Sequence, residues 1–194
     1  MMTGRAVHRM LVISASDKIY DYITELLPAS EFSPILRACS AGEAKRMLVS
    51  DAVDIVIINT PLPDEFGTDL AMDLSDGTAG VLLLVRNDSY DQVNYRVENY
   101  GVLTLSKPNS KQAVYSAIRL LAAMNNKLKK MDKKNRTLIE KMADIRVVNR
   151  AKWLLIDNLN MNEKDAHYYI EKQAVDSRLS RKEIAENIIR TYDK

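Results

Sequence analysis

DIVIINTPLPDEFG (Asp54–Gly67) is the stretch on which the fold turns. Its run Ile55–Ile58 (IVII) is four consecutive β-branched apolar residues with no polar alternation. Both faces of such a strand are buried, which is the signature of a central strand in a parallel sheet. Pro61 and Pro63 then break the chain. Toward the N-terminus lie a second apolar run at Met10–Ile13 (MLVI) and a weaker one at Ile35–Cys39. Helical spacing fills Asp17–Leu27, stopped by Pro28, and Ala41–Val49. Toward the C-terminus Val81–Val85 (VLLLV) and Val102–Leu105 supply two more strands, with Lys107-Pro108 after the last. Five strands alternating with helices predict an α/β unit, a flavodoxin-like doubly wound parallel sheet. Right-handed crossovers place its working edge at the carboxyl ends of the strands.

This order, with Asp54–Gly67 and the Lys107-Pro108 pair, resembles the receiver domain of two-component response regulators over about residues 7–125. The resemblance implies an acidic pair after strand one, a phosphate-accepting aspartate after strand three, a hydroxyl after strand four and a lysine. The matching positions read Ser14 and Ala15, then Asn59, then Val85 or Arg86, and only Lys107 agrees. Mg²⁺ binding needs carboxylate oxygens, and none is present there. A carboxamide is no nucleophile toward phosphorus. Asp17 is read as a helix cap, and Asp64 lies off the acceptor position. Residues 1–109 are therefore expected to form a pseudo-receiver domain that serves as a surface for dimerisation or for a sensor or negative-regulator protein.

The length of 194 residues suits one large or two small domains. No apolar run reaches the ~20 residues that span a bilayer, and residues 1–10 lack a signal-peptide pattern. A single cysteine, Cys39, excludes an intramolecular disulfide and fits a cytoplasmic location. Cys39 is expected to be a packing residue and His8 a surface residue. The net charge of +2 conceals an asymmetry. Residues 1–109 carry 9 basic and 15 acidic residues, residues 110–194 carry 19 and 11. Only the second half is suited to a polyanion.

After Pro108 the chain has neither Gly nor Pro. Ala117, Leu121, Met124, Leu128, Met131, Asn135, Leu138, Met142, Ile145 and Asn149 alternate in steps of four and three. That 3.5-residue repeat predicts a coiled-coil dimerisation helix over residues 110–149, parallel and two-stranded, with Asn at a positions fixing register. The seam is Leu121, Met124, Leu128, Met131, Asn135, Leu138, Met142, Ile145 and Asn149. The competing reading is one amphipathic helix packed on its own domain. Further on, Asn160 or Asn162 caps a second helix and Ser180 with Glu183 forms a capping box for a third.

The segment Ile145–Ile189 resembles the ANTAR domain of transcription antitermination regulators. The resemblance rests on Ala151, Lys152, Ala166, Tyr169, Ile170, Lys172, Gln173, Ala174, Asp176, Arg178, Glu183, Ile184 and Ala185. It implies a three-helix all-α ANTAR domain over about 138–194 that binds RNA. The layout as a whole is similar to the amidase-operon type of antiterminator, which has a degenerate receiver. Trp153 departs from the family, which usually has Gly there. It either fills a local groove, the preferred reading, or offers a stacking platform. His167 is read as a packing or hydrogen-bonded residue, and Glu171 would repel phosphate.

Candidate RNA contacts are Arg146, Arg150, Lys152, Lys172, Gln173, Arg178, Arg181 and Lys182, with Tyr168 or Tyr169 stacking on unpaired bases. The expected function is an RNA-binding antitermination regulator whose dimer grips hairpins in leader transcripts, under control of a partner rather than of phosphorylation. A DNA-binding response regulator with a helix-turn-helix output and a scaffold without nucleic acid are the alternatives. No triad, metal cluster or phosphate loop is present, so neither catalysis nor a cofactor or metal is expected.

Overall fold

The structure, a computed structural model, describes residues 7–193. Strands β1 (His8–Ile13), β2 (Phe32–Ala38), β3 (Ile55–Asn59), β4 (Gly80–Arg86) and β5 (Leu103–Lys107) form one parallel sheet in the order β2-β1-β3-β4-β5. Helices α1 (Asp17–Leu26), α2 (Ala41–Ser50), α3 (Thr68–Ser75) and α4 (Tyr90–Val97) alternate with them. Then follow α5 (Lys111–Leu159), α6 (Glu163–Ser177) and α7 (Arg181–Tyr192). This is the flavodoxin-like strand order, with its switch point between β1 and β3.

Side-chain alternation along the strands explains why both sheet faces are closed. Leu11, Ile13, Val56, Ile58, Leu83 and Val85 meet Ala41, Ala44, Leu70, Ala71, Val93 and Val97 of α2, α3 and α4. Met10, Val12, Ile55, Ile57, Leu82 and Leu84 face the other way, onto Ile23 of α1 and Val114, Ala117, Ile118, Leu121 and Ala122 of α5. The backbone folds as two compact units, residues 1–130 and 131–194. The first unit thus extends past the expected boundary at residue 109, because the opening turns of α5 complete the second face of the sheet.

That packing corrects the start of the seam. Leu121 is only 3% exposed and lies against Gly80, where an added Cβ would sit 3.1 Å from it. Ala117 is buried as well. Farther along the same unit, Asn125 donates to the carbonyls of Thr78 (2.8 Å) and Asp54 (3.3 Å), and Lys129 pairs with Asp54 at 2.5 Å.

Other expectations shift in detail. Ser16, not Asp17, occupies the N-cap of α1, and Asp17 in the first turn pairs with Arg37. His8 is buried, its Nε2 3.3 Å from Asn126 Nδ2. Its Nδ1 lies 3.8 Å from Asp54, yet burial, the dominant influence, lowers its pKa more than Asp54 raises it. It is therefore neutral near pH 7, and Lys129 is the cation that Asp54 holds. Cys39 is exposed, outside the core assigned to it, because it falls past the end of β2. Among the described residues no helix is long and apolar enough to cross a membrane.

In the second unit Ala151 and Leu155 of α5, Ala166 and Ile170 of α6, and Ile184, Ala185 and Ile188 of α7 form the core. Alanines at three of these seven positions let the helix axes approach closely. Asn162 caps α6, accepting from the Asp165 N–H at 2.8 Å. Ser180 and Glu183 form the expected capping box.

Candidate nucleic-acid interface and the degenerate acceptor site

The carboxyl ends of β1, β3 and β5 bring Ser14, Asn59 and Lys107 together. Lys107 Nζ donates to Asn59 Oδ1 at 2.8 Å and to the Thr60 carbonyl at 2.6 Å. Asn59 Nδ2 donates to Ser14 Oγ at 3.1 Å. Ser14 Oγ also accepts from the Ser16 N–H at 3.0 Å. Burial and then the nearby Arg86 hold the Lys107 ammonium below its ordinary pKa. The cluster is a closed chain of hydrogen bonds in which a carboxamide takes the place of a negative charge. Val85 is buried and Arg86 and Ala15 are exposed, so neither a hydroxyl nor a carboxylate completes it. The nearby aspartates are occupied. Asp64 accepts from the N–H groups of Ala41 (2.9 Å) and Gly42 (2.8 Å) at the start of α2. Those bonds hold its carboxyl below the usual carboxylate range. Among the described residues no acidic cluster able to hold a metal ion occurs.

The second unit carries a groove of about 580 Å³ lined along α5 by Ile145, Val148 and Asn149. Lys141 and Lys152 of α5 and Arg181 and Lys182 of α7 surround it, with His167 of α6 and Asp144. Helical periodicity explains the convergence, since positions 141, 145, 148 and 152 share one face of α5. Several cations are balanced by acids of the same unit. Lys182 pairs with Asp144 at 2.8 Å, Lys152 with Glu163 at 3.1 Å, and Arg181 with Glu171 at 3.0 Å. The hydrogen bond that Lys182 donates to Asp144, then the charge of that carboxylate, raises the Lys182 pKa. The Lys182–Asp144 and Arg181–Glu171 pairs are solvent-exposed on both sides, whereas the Lys152 side chain is largely covered.

Residues 136–189 match the ANTAR domain family. The chain carries an ANTAR domain behind a receiver-like domain. Over 188 residues it is 25% identical to the transcriptional regulatory protein PdtaR of Mycobacterium tuberculosis, covering 96% of this chain and 92% of that protein. Among solved structures it is similar to the signal receiver domain of an HD domain-containing protein from Pseudomonas fluorescens Pf-5. That match has 22% identity and a TM-score of 0.58, over 67% of this chain and 96% of that one. A response regulator receiver domain protein from Clostridium thermocellum matches at 22% identity and a TM-score of 0.56, over 63% and 99%. These structural likenesses describe the fold of the first unit.

Within the ANTAR domain the structure gathers Lys152, Arg181 and Lys182 at the groove and leaves the other candidates elsewhere. Tyr168, 66% exposed, and Lys172 share one stripe of α6 at a spacing of four, continued by exposed Val175. Tyr169 is partly exposed and Gln173 half-buried on the next stripe. Arg150 is bound to Asp193 at the end of α7. Arg146 is exposed with no acidic partner among the described residues. Arg178 closes α6 in the left-handed conformation, φ 57°, with its N–H on the Ala174 and Val175 carbonyls. Glu171 holds Arg181 and lies 3.4 Å from His167, so its charge is locally neutralised and His167 is a groove residue, not a core one.

Two residues were misjudged or missed by sequence reasoning. Lys141 is absent from the candidate RNA contacts, and its i, i+4, i+7, i+11 relation to Ile145, Val148 and Lys152 was the available signal. Trp153 does not fill the core: it is 70% exposed. Its neighbours Leu154 and Leu155 satisfy the apolar periodicity in its place.

Proposed function

We propose that this ANTAR protein is a cytoplasmic, RNA-binding transcription antitermination regulator that acts as a dimer and is controlled by a partner protein rather than by phosphorylation. The groove ringed by Lys141, Lys152, Arg181 and Lys182 carries the reading. Four cations from two helices converge on one concavity, with exposed Tyr168 elsewhere on the same unit. Cations neutralise phosphates with counterion release, and exposed aromatic rings suit the unpaired bases of a hairpin loop.

The dimer reading is supported by an apolar stripe that the chain itself leaves uncovered. Met124, Leu128, Met131, Leu138, Met142 and Ile145 are between 44% and 58% exposed. They keep the 3.5-residue step, with Asn135 at an a position, over a helix that makes a parallel two-stranded coil. The usable seam runs from Met124 to Met142, since Leu121 is committed to the sheet and Ile145 lines the groove. Two ANTAR domains on one dimer engage adjacent hairpins with the second binding step made effectively intramolecular. The Ser14–Asn59–Lys107 chain, which holds no acceptor carboxylate, supports control by a sensor that reads the receiver-like surface in one fixed chemical state.

The test is binding of a leader-type RNA hairpin and of duplex DNA across a salt series. We expect tight, salt-steep binding to the hairpin alone, with at least a tenfold loss for the double variant Lys141→Glu, Lys182→Glu. Preference for duplex DNA would favour a helix-turn-helix type of output. Absence of both would leave a scaffold.

A further inference from the structure

Trp153 is the single tryptophan of the chain, and its ring is turned out of the domain that surrounds it. The core of the second unit closes without it. Trp153 is one wall of a shallow pocket of about 210 Å³ completed by Asn149, Lys152, Ile156 and Glu163. Asn149 and Lys152 also line the large basic groove, so the pocket adjoins the groove through a shared wall. The Asn149 carboxamide has no hydrogen-bond partner among the described residues, which leaves two donors and an acceptor to offer.

We propose that Trp153, Asn149 and Lys152 form a receptor for one unpaired nucleotide base of the bound RNA. The indole supplies a flat face on which any base stacks. The Asn149 carboxamide reaches a base edge, as such groups do when bases are splayed from a loop. Lys152, held by Glu163 at 3.1 Å, supplies the cation for the adjoining phosphate. The pocket deepens the RNA-binding reading and rests on it. A second copy of the chain is a poorer occupant. Trp153 lies at an e position, off the a/d line, and the layer beside it is polar, with Asn149 at a and Lys152 at d. Two Lys152 side chains facing each other across a seam would repel.

The lone tryptophan makes the experiment direct. Intrinsic fluorescence of the full chain is followed while an RNA stem-loop with a randomised loop is added, and in parallel the same stem closed as a blunt duplex. We expect saturable quenching by the stem-loop, with the midpoint of the mobility shift, and none from the duplex. Trp153→Ala should weaken stem-loop binding about 5- to 100-fold. Trp153→Phe, which keeps a stacking face and checks the fold, should recover most of it. Stem-loop binding with unchanged emission, or within twofold of wild type for Trp153→Ala, overturns the pocket and leaves the RNA-binding reading intact. A shift of Trp153→Ala from dimer to monomer in sedimentation also overturns it, by assigning the ring to a second copy. Failure of the wild-type chain to bind any RNA removes both.

Discussion

Asn59 differs from an aspartate by one atom, and that atom decides the state of the first unit. The carboxamide accepts from Lys107 and donates to Ser14, so the cluster's hydrogen bonds are satisfied without a carboxylate. Restoring the acid does not restore the chemistry, because Ser14 and Ala15 give Mg²⁺ no carboxylate. Asn59→Asp is expected to remain unlabelled by acetyl phosphate, read by intact mass. Leu121 and the seam are separable in the same way. Leu121→Ala should cost about 2–5 kcal/mol of stability in the first unit and leave the dimer in sedimentation unchanged. Buried His8 contributes to the acid sensitivity of that unit. Its folded pKa is lowered, so the unfolded chain binds a proton first as pH falls. The stability it supports is complete above about pH 6.5 and is lost as the pH falls from there through the folded pKa. Chemical denaturation at pH 7.5 and 5.5 should show this slope in the wild type and a flatter one in His8→Gln. That Ser14, Asn59 and Lys107 share one end of the sheet was legible from their place at the strand ends. Burial of His8 was not, because residues 1–7 give no periodicity from which to read it.

At the level of elements, α5 does two jobs in succession, and Arg178 shows a cost. Its first turns cover the sheet and its last turns carry the core and groove face of the second unit. The repeat was readable from Ala117 to Asn149, since it does not change where the burial partner does. What the repeat conceals is that Ala117 and Leu121 are satisfied within the chain. The caps of α6 and α7 were readable residue by residue, because capping is local chemistry. Arg178 occupies a left-handed helix end that Gly takes without strain. Arg178→Gly is expected to raise stability by about 1 kcal/mol in thermal denaturation while weakening RNA binding. Loss of stability with unchanged RNA affinity would make Arg178 a structural residue only.

For the whole molecule the charge is divided by function. The acidic first half is the receiver-like surface, and the basic second half carries the groove. If RNA grips that half, log affinity falls linearly with log salt, and each lost phosphate contact lowers the slope by about 0.7–0.9. Lys141→Gln with Lys182→Gln should therefore flatten the slope by close to two contacts. Leu138→Glu should turn the dimer into a monomer and remove the avidity of two-hairpin binding while single-hairpin affinity persists.

The five alternating strands, the parallel sheet and the three C-terminal helices were determined by the sequence itself, because each rests on local patterns: apolar runs, helical spacing and cap residues. The tertiary structure alone decided that Leu121 belongs to the sheet, that Lys141 joins Lys152, Arg181 and Lys182 around one groove, and that Trp153 faces outward. Those facts depend on which surface of a helix another element covers, and a periodic stripe specifies a face without naming its partner.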